Sequence, residues 1–97
     1  MTRIDHIGIA TKSIDSALPF WKALGFEASG GGIVKEQGVE VRYMQNMSDT
    51  KIELLEPTGS DTPVGRFIER RGEGIQQLAI SVPDIEETIE KLTKMGV

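Results

Sequence analysis

The chain carries a single imidazole, His6, so any histidine chemistry must recruit its partners from distant parts of the sequence. Two candidates share the setting of His6. Ile4–Ala10 alternates, with Ile7 and Ile9 on one face and His6, Gly8 and Ala10 on the other. In Lys51–Glu56 the alternation gives Ile52 and Leu54 to the core and Glu53 and Leu55 to the opposite face. In Gly74–Val82 it gives Leu78, Ile80 and Val82 to the core and Gln77, Ala79 and Ser81 to the other side. A period of two is the signature of a strand buried on one face. One imidazole nitrogen and two oxygens suit a borderline or hard divalent cation, here Co, Ni, Zn or Mn, with His6, Glu53 and Gln77 as ligands. Each residue alone has a plainer reading: a structural histidine, a solvated carboxylate, and an amide that seldom binds transition metals tightly. No side chain identifies itself as the catalytic acid or base. Glu40 lies near, but its face is open.

What brings the three together is a repeat. Ile75–Val97 matches Ile4–Phe26 without a gap at a shift of 71, pairing Ile4 with Ile75, Ile9 with Ile80, Ile14 with Ile85 and Gly25 with Gly96. His6 then falls on Gln77. Coinciding apolar positions over a whole strand–helix stretch mark two copies of one supersecondary unit. The first copy reads as βαβββ. Ser13 caps a helix carrying Ile14, Ala17, Leu18, Trp21 and Leu24, and Gly25 stops it. Pro19 should kink that helix or delay its start. Phe26–Ser29 begins a second strand that ends at a mobile hairpin of Gly30–Gly32. Val39–Gln45 is the third strand, Asn46–Thr50 a turn and Lys51–Glu56 the fourth strand. Residues 1–57 thus form a complete module, 58–73 a linker and short basic helix, and 74–97 the start of a second module. In that second start, Asp84 is the N-cap and Glu87 its capping-box partner, ahead of Ile85, Ile89 and Leu92. Two such units related by a pseudo-twofold axis would face each other across a cleft. The second module halts after its first strand and helix, leaving an unpaired edge that favours pairing with a second copy.

Bulk properties narrow the class. Ninety-seven residues, 38% hydrophobic and 27% charged, fit one soluble domain of modest core. With no cysteine there is neither a disulfide nor a thiolate nucleophile. A net charge of −4 argues against nucleic acid. No run is long and apolar enough for a membrane and no signal peptide is evident, so the expectation is a cytoplasmic protein. Arg66, Arg70 and Arg71 form the one local basic cluster, able to meet an anion.

Four segments carry a resemblance: Asp5-His6-Ile7-Gly8-Ile9-Ala10, Thr50-Lys51-Ile52-Glu53-Leu54-Leu55-Glu56-Pro57, Ser60-Asp61-Thr62-Pro63 and Arg71-Gly72-Glu73-Gly74-Ile75. Together they resemble the methylmalonyl-CoA epimerases of the vicinal oxygen chelate superfamily, which includes glyoxalases and extradiol dioxygenases. The resemblance implies an α+β fold of paired βαβββ modules of the glyoxalase type, forming a cup around a divalent metal. It implies epimerisation of a 2-substituted malonyl-type acyl-CoA thioester, by proton removal alpha to the carbonyl with a metal-stabilised enolate. It places metal ligands on His6, Glu53 and Gln77. Gln76-Gln77 stands where the family has a His-His pair, and a carboxylate ligand of the final strands has no counterpart. The alternatives are a glyoxalase-type lyase or isomerase on a small substrate, or an inactive binding module of the same fold. A homodimer is the expected assembly.

Overall fold

In a computed structural model describing all residues from Met1 to Val97, the alternating segments become a five-stranded sheet ordered β2-β3-β4-β1-β5. The elements in chain order are β1 (Arg3–Ala10), α1 (Ile14–Ala23), β2 (Glu27–Val34), a 3₁₀ turn (Lys35–Gln37), β3 (Val39–Gln45), β4 (Lys51–Pro57), α2 (Pro63–Arg71), β5 (Gly74–Ser81) and α3 (Ile85–Lys94). β1 runs parallel to β4, whereas β2–β3, β3–β4 and β1–β5 are antiparallel. This is the expected α+β arrangement, a βαβββ module followed by the strand and helix of a second. In the β1–β5 ladder Ile7 lies opposite Leu78. These two residues are also equivalent in the sequence repeat, so the pseudo-twofold axis passes between them.

Each face of the first module has its own apolar layer. Ile14, Met44, Ile52 and Leu54 pack with Ile7, Ile9, Leu18 and Trp21 beneath α1. On the opposite face Ala10, Val39, Val41, Leu55 and Val64 pack with Phe67 and Ile68 of α2. Met44 and Leu54 are fully enclosed, each contributing about 1.5–3 kcal/mol by burial. Helix α1 starts where Ser13 Oγ accepts from Ser16 N at 3.1 Å. Thr62 Oγ1 caps α2 by accepting from Gly65 N at 3.0 Å, with Pro63 at the first helical position. Asp84 caps α3 through Glu87 N at 3.0 Å, but the Glu87 carboxylate turns to Lys91 at 3.5 Å and does not return to the cap.

Three expectations are corrected. Pro19 does not delay α1, which starts at Ile14 and runs through it. Pro19 and Asp15 lie on the exposed side, so the carbonyl that loses its donor is hydrated. The glycine run is not a hairpin but the middle of β2, paired along β3. Gly31, at φ +143°, passes so close that a Cβ would overlap the Val41 carbonyl oxygen. Leu78 and Ile80 were expected to face a core, yet they are 56% and 55% exposed. Ile85, Ile89 and Leu92 of α3 are exposed as well, because no further strands cover this side of β5. No helix is long and apolar enough to cross a membrane.

Candidate functional site

Three adjacent strands carry the polar residues singled out from the sequence. Parallel pairing of β1 with β4 sets Gly8 beside Glu53, and antiparallel pairing with β5 sets Gly8 beside Gln77. Gly8 is therefore flanked by a carboxylate and an amide. A Cβ on Gly8 would overlap Gln77 Cγ, so the space that glycine leaves is filled by the glutamine side chain rather than by an open cleft. Lying across β1, Gln77 Nε2 donates to Glu53 Oε1 at 2.9 Å. Glu53 is 7% exposed, one of two buried polar side chains. Its second oxygen, Oε2, lies 3.7 Å from His6 Nε2. That gap is long for a direct hydrogen bond and has the spacing of two atoms sharing one cation.

The imidazole is oriented from behind. His6 Nδ1–H donates to Asp5 Oδ2 at 2.9 Å, which turns Nε2 toward Glu53. Neighbours on a regular strand point to opposite faces. A register irregularity between Ile4 and His6 lets Asp5 and His6 meet. The His6 hydrogen bond, with Arg3 close by, holds the Asp5 carboxyl below its ordinary range. A carboxylate behind an imidazole raises its basicity toward a metal. Asp5 went unrecognised in the sequence, since plain alternation hides it.

Beyond Glu53 lies a cavity of about 410 Å³. Val39, Val41, Leu55 and Val64 make its apolar walls, and Tyr43, Glu53, Gln76 and Gln77 supply polar groups. Tyr43 sits opposite Glu53 in the β3–β4 ladder. Burial and the neighbouring Glu53 push its phenol upward from 10.0, and an un-ionised phenol can donate. The irregularity between Gly8 and Ile9 in the β1–β5 ladder gives Gln76 no partner on β1, and both glutamines reach the cavity. Glu40 does not join them. It faces Arg42, 3.6 Å away, on the other side of β3 from Val41 and Tyr43.

The donors present are one imidazole nitrogen, one buried carboxylate and one amide. No three His, Asp or Glu side chains are arranged to hold a metal ion by themselves. The imidazole backed by Asp5 and facing Glu53 would offer a divalent ion two donors, and the Gln77 oxygen would be a third only if the amide turned. An amide reversal of this kind costs the present hydrogen bond to Glu53.

Comparison with known proteins returns one family. Residues 5–97 match the model of the Glyoxalase/Bleomycin resistance protein/Dioxygenase superfamily. An uncharacterised protein of Bacillus subtilis is 38% identical over all of this chain and 69% of its own length. The human mitochondrial methylmalonyl-CoA epimerase is 33% identical over 98% of this chain. The chain spans 54% of that enzyme, about half its length. A Streptomyces coelicolor methylmalonyl-CoA epimerase variant, solved with 2-nitronate-propionyl-CoA, superposes with a TM-score of 0.85 at 35% identity. That match covers 100% of this chain and 74% of the other.

Proposed function

The chain belongs to the Glyoxalase/Bleomycin resistance protein/Dioxygenase superfamily, and from that premise we propose that it serves as an epimerase of a 2-substituted malonyl-type acyl-CoA thioester. The observation that carries this reading is the convergence of His6, Glu53 and Gln77 from three strands beside an apolar cavity. A divalent ion held by these three residues would supply positive charge to the enolate oxygen formed when the α-proton leaves. Asp5 orients the His6 ring so that Nε2 is turned to Glu53. With an acyl group seated against them, the apolar walls would keep water from it and strengthen every charge interaction there. Tyr43, opposite Glu53, offers a hydrogen bond to the thioester or carboxylate oxygen. The proton lost from one face of the α-carbon returns to the other, so the reaction needs no co-reactant.

The test has two parts. Calorimetric titration with Co, Ni, Zn and Mn should show micromolar or tighter binding that His6→Ala and Glu53→Ala abolish. Methylmalonyl-CoA incubated with the chain in deuterated water should exchange its α-proton. A folded chain that binds no metal and exchanges no proton overturns the proposal.

One observation favours a second reading, a binding module that retains the fold without the chemistry. The Gln77 amide is already engaged with Glu53, and by the resemblance it occupies the position of a family imidazole. Thioester binding without proton exchange would establish that reading.

A further inference from the structure

A second cavity, about 370 Å³, lies along α2. Arg66, Arg70 and Arg71 line it together with the half-buried Phe67. Pro63 and Gln76 line both this cavity and the one beside Glu53, so the two adjoin through a common wall. Only Arg66 has a carboxylate within ion-pair distance, Asp61 at 2.9 Å, itself almost wholly exposed. Arg70 and Arg71 have none. Cations in the last turn of a helix are favoured by its dipole. The dipole does not account for three guanidiniums walling one cavity beside an aromatic ring, in a chain whose net charge is −4. Planar guanidiniums hold phosphate oxygens in pairs, and an aromatic face accepts a stacked base.

We infer that the cavity along α2 is an anion subsite for the phosphate-bearing nucleotide end of the acyl-CoA, whose thioester lies in the adjoining cavity against Glu53 and Gln77. This inference rests on the acyl-CoA reading above and adds to it where the nucleotide is held. Binding there would fix the long, flexible ligand by its far end, so that the acyl group arrives at the polar cluster already oriented.

Calorimetric titration of the full chain with adenosine 3′,5′-bisphosphate tests the subsite directly. Saturable binding is expected, weakened by salt and reduced about tenfold or more in R70A/R71A. R70K/R71K, which keeps the charge and loses the fork geometry, should fall between the two. Far-UV circular dichroism checks that each variant is folded. Equal affinity in wild type and R70A/R71A, or no binding by wild type, overturns the subsite. The acyl-CoA reading is judged separately with methylmalonyl-pantetheine, which has the thioester and no nucleotide. Exchange of its α-proton at equal rates in wild type and R70A/R71A upholds that reading whatever the bisphosphate does.

Discussion

Gln77 lies over Gly8, and the hydrogen bond from its amide to Glu53 exists only because residue 8 has no side chain. Gly8→Ala should therefore push Gln77 off Glu53 and destabilise the chain by about 1–3 kcal/mol, the usual cost of overpacking. In a Gln77→Ala background the same substitution should cost much less, because the clashing partner is gone. Urea denaturation of the four proteins in this cycle reads both numbers. Equal costs in the two backgrounds would show that Gly8 serves some other purpose.

Gln77→His supplies a second imidazole. If the cluster takes a divalent ion, affinity for Zn or Co should rise about tenfold or more, since nitrogen donors suit these metals better than an amide oxygen. Calorimetry on the two proteins decides it. An unchanged or lower affinity would place the ion elsewhere.

Asp5→Asn keeps a side chain of the same size behind His6 but removes the charge that faces the imidazole. Metal affinity should fall about 10–100-fold, as is usual when the group orienting a ligand is altered. Circular dichroism should show the fold retained, because Asp5 packs into neither apolar layer.

Glu73 ties the start of β5 to the loop after β1. Its Oε2 accepts from Lys12 N at 2.7 Å and from Thr11 Oγ1 at 3.1 Å. These bonds hold its carboxyl below the ordinary 4.5. A pKa lower in the folded than in the unfolded chain adds stability that is complete above the unfolded value. That stability is lost as pH falls through the folded value. Glu73→Gln should thus melt slightly below wild type at pH 7, and the gap should close as the pH is lowered past the carboxylate range. A gap independent of pH would mean that charge plays no part.

The apolar side formed by Leu78, Ile80 and Ile89 makes a different demand. These residues are exposed, so Ile80→Thr should change monomer stability by less than about 0.5 kcal/mol. Leu54→Ala, at a fully buried position, should cost about 2–5 kcal/mol. If the chain forms a homodimer through this side, Ile80→Thr should shift sedimentation toward monomer. Association unchanged by Ile80→Thr would point to another surface.

Much of this arrangement was legible in the amino-acid order. The match of Ile4–Phe26 to Ile75–Val97 gives the twofold relation that the facing of Ile7 and Leu78 makes concrete. Alternation in three strands placed His6, Glu53 and Gln77 on one face, and they meet there. What escaped were departures from regularity. Asp5 reaches His6, and Gln76 reaches the cavity, because the β1–β5 ladder slips at two points, and a slip leaves no trace in a hydrophobic pattern. The glycine run read as a hairpin because glycine favours turns. Here close approach to Val41 is what requires it. Tyr43 was concealed by its ordinary role as a strand aromatic, and its facing of Glu53 follows only from the β3–β4 register.

The polar cluster draws on strands that are remote in the chain: Glu53 and Gln77 are 24 residues apart, and β1 precedes both. Such a site cannot form in a locally collapsed fragment. Both ladders on β1 must close, and long-range strand pairing is the slow step of a fold like this one. A ligand gripping all three strands would therefore bind only the finished fold, deepening its free-energy well by mass action. It would do so chiefly by slowing the escape of β5 from the sheet edge. The residues that would bind the ligand would then also act as the clasp that holds the second unit to the first.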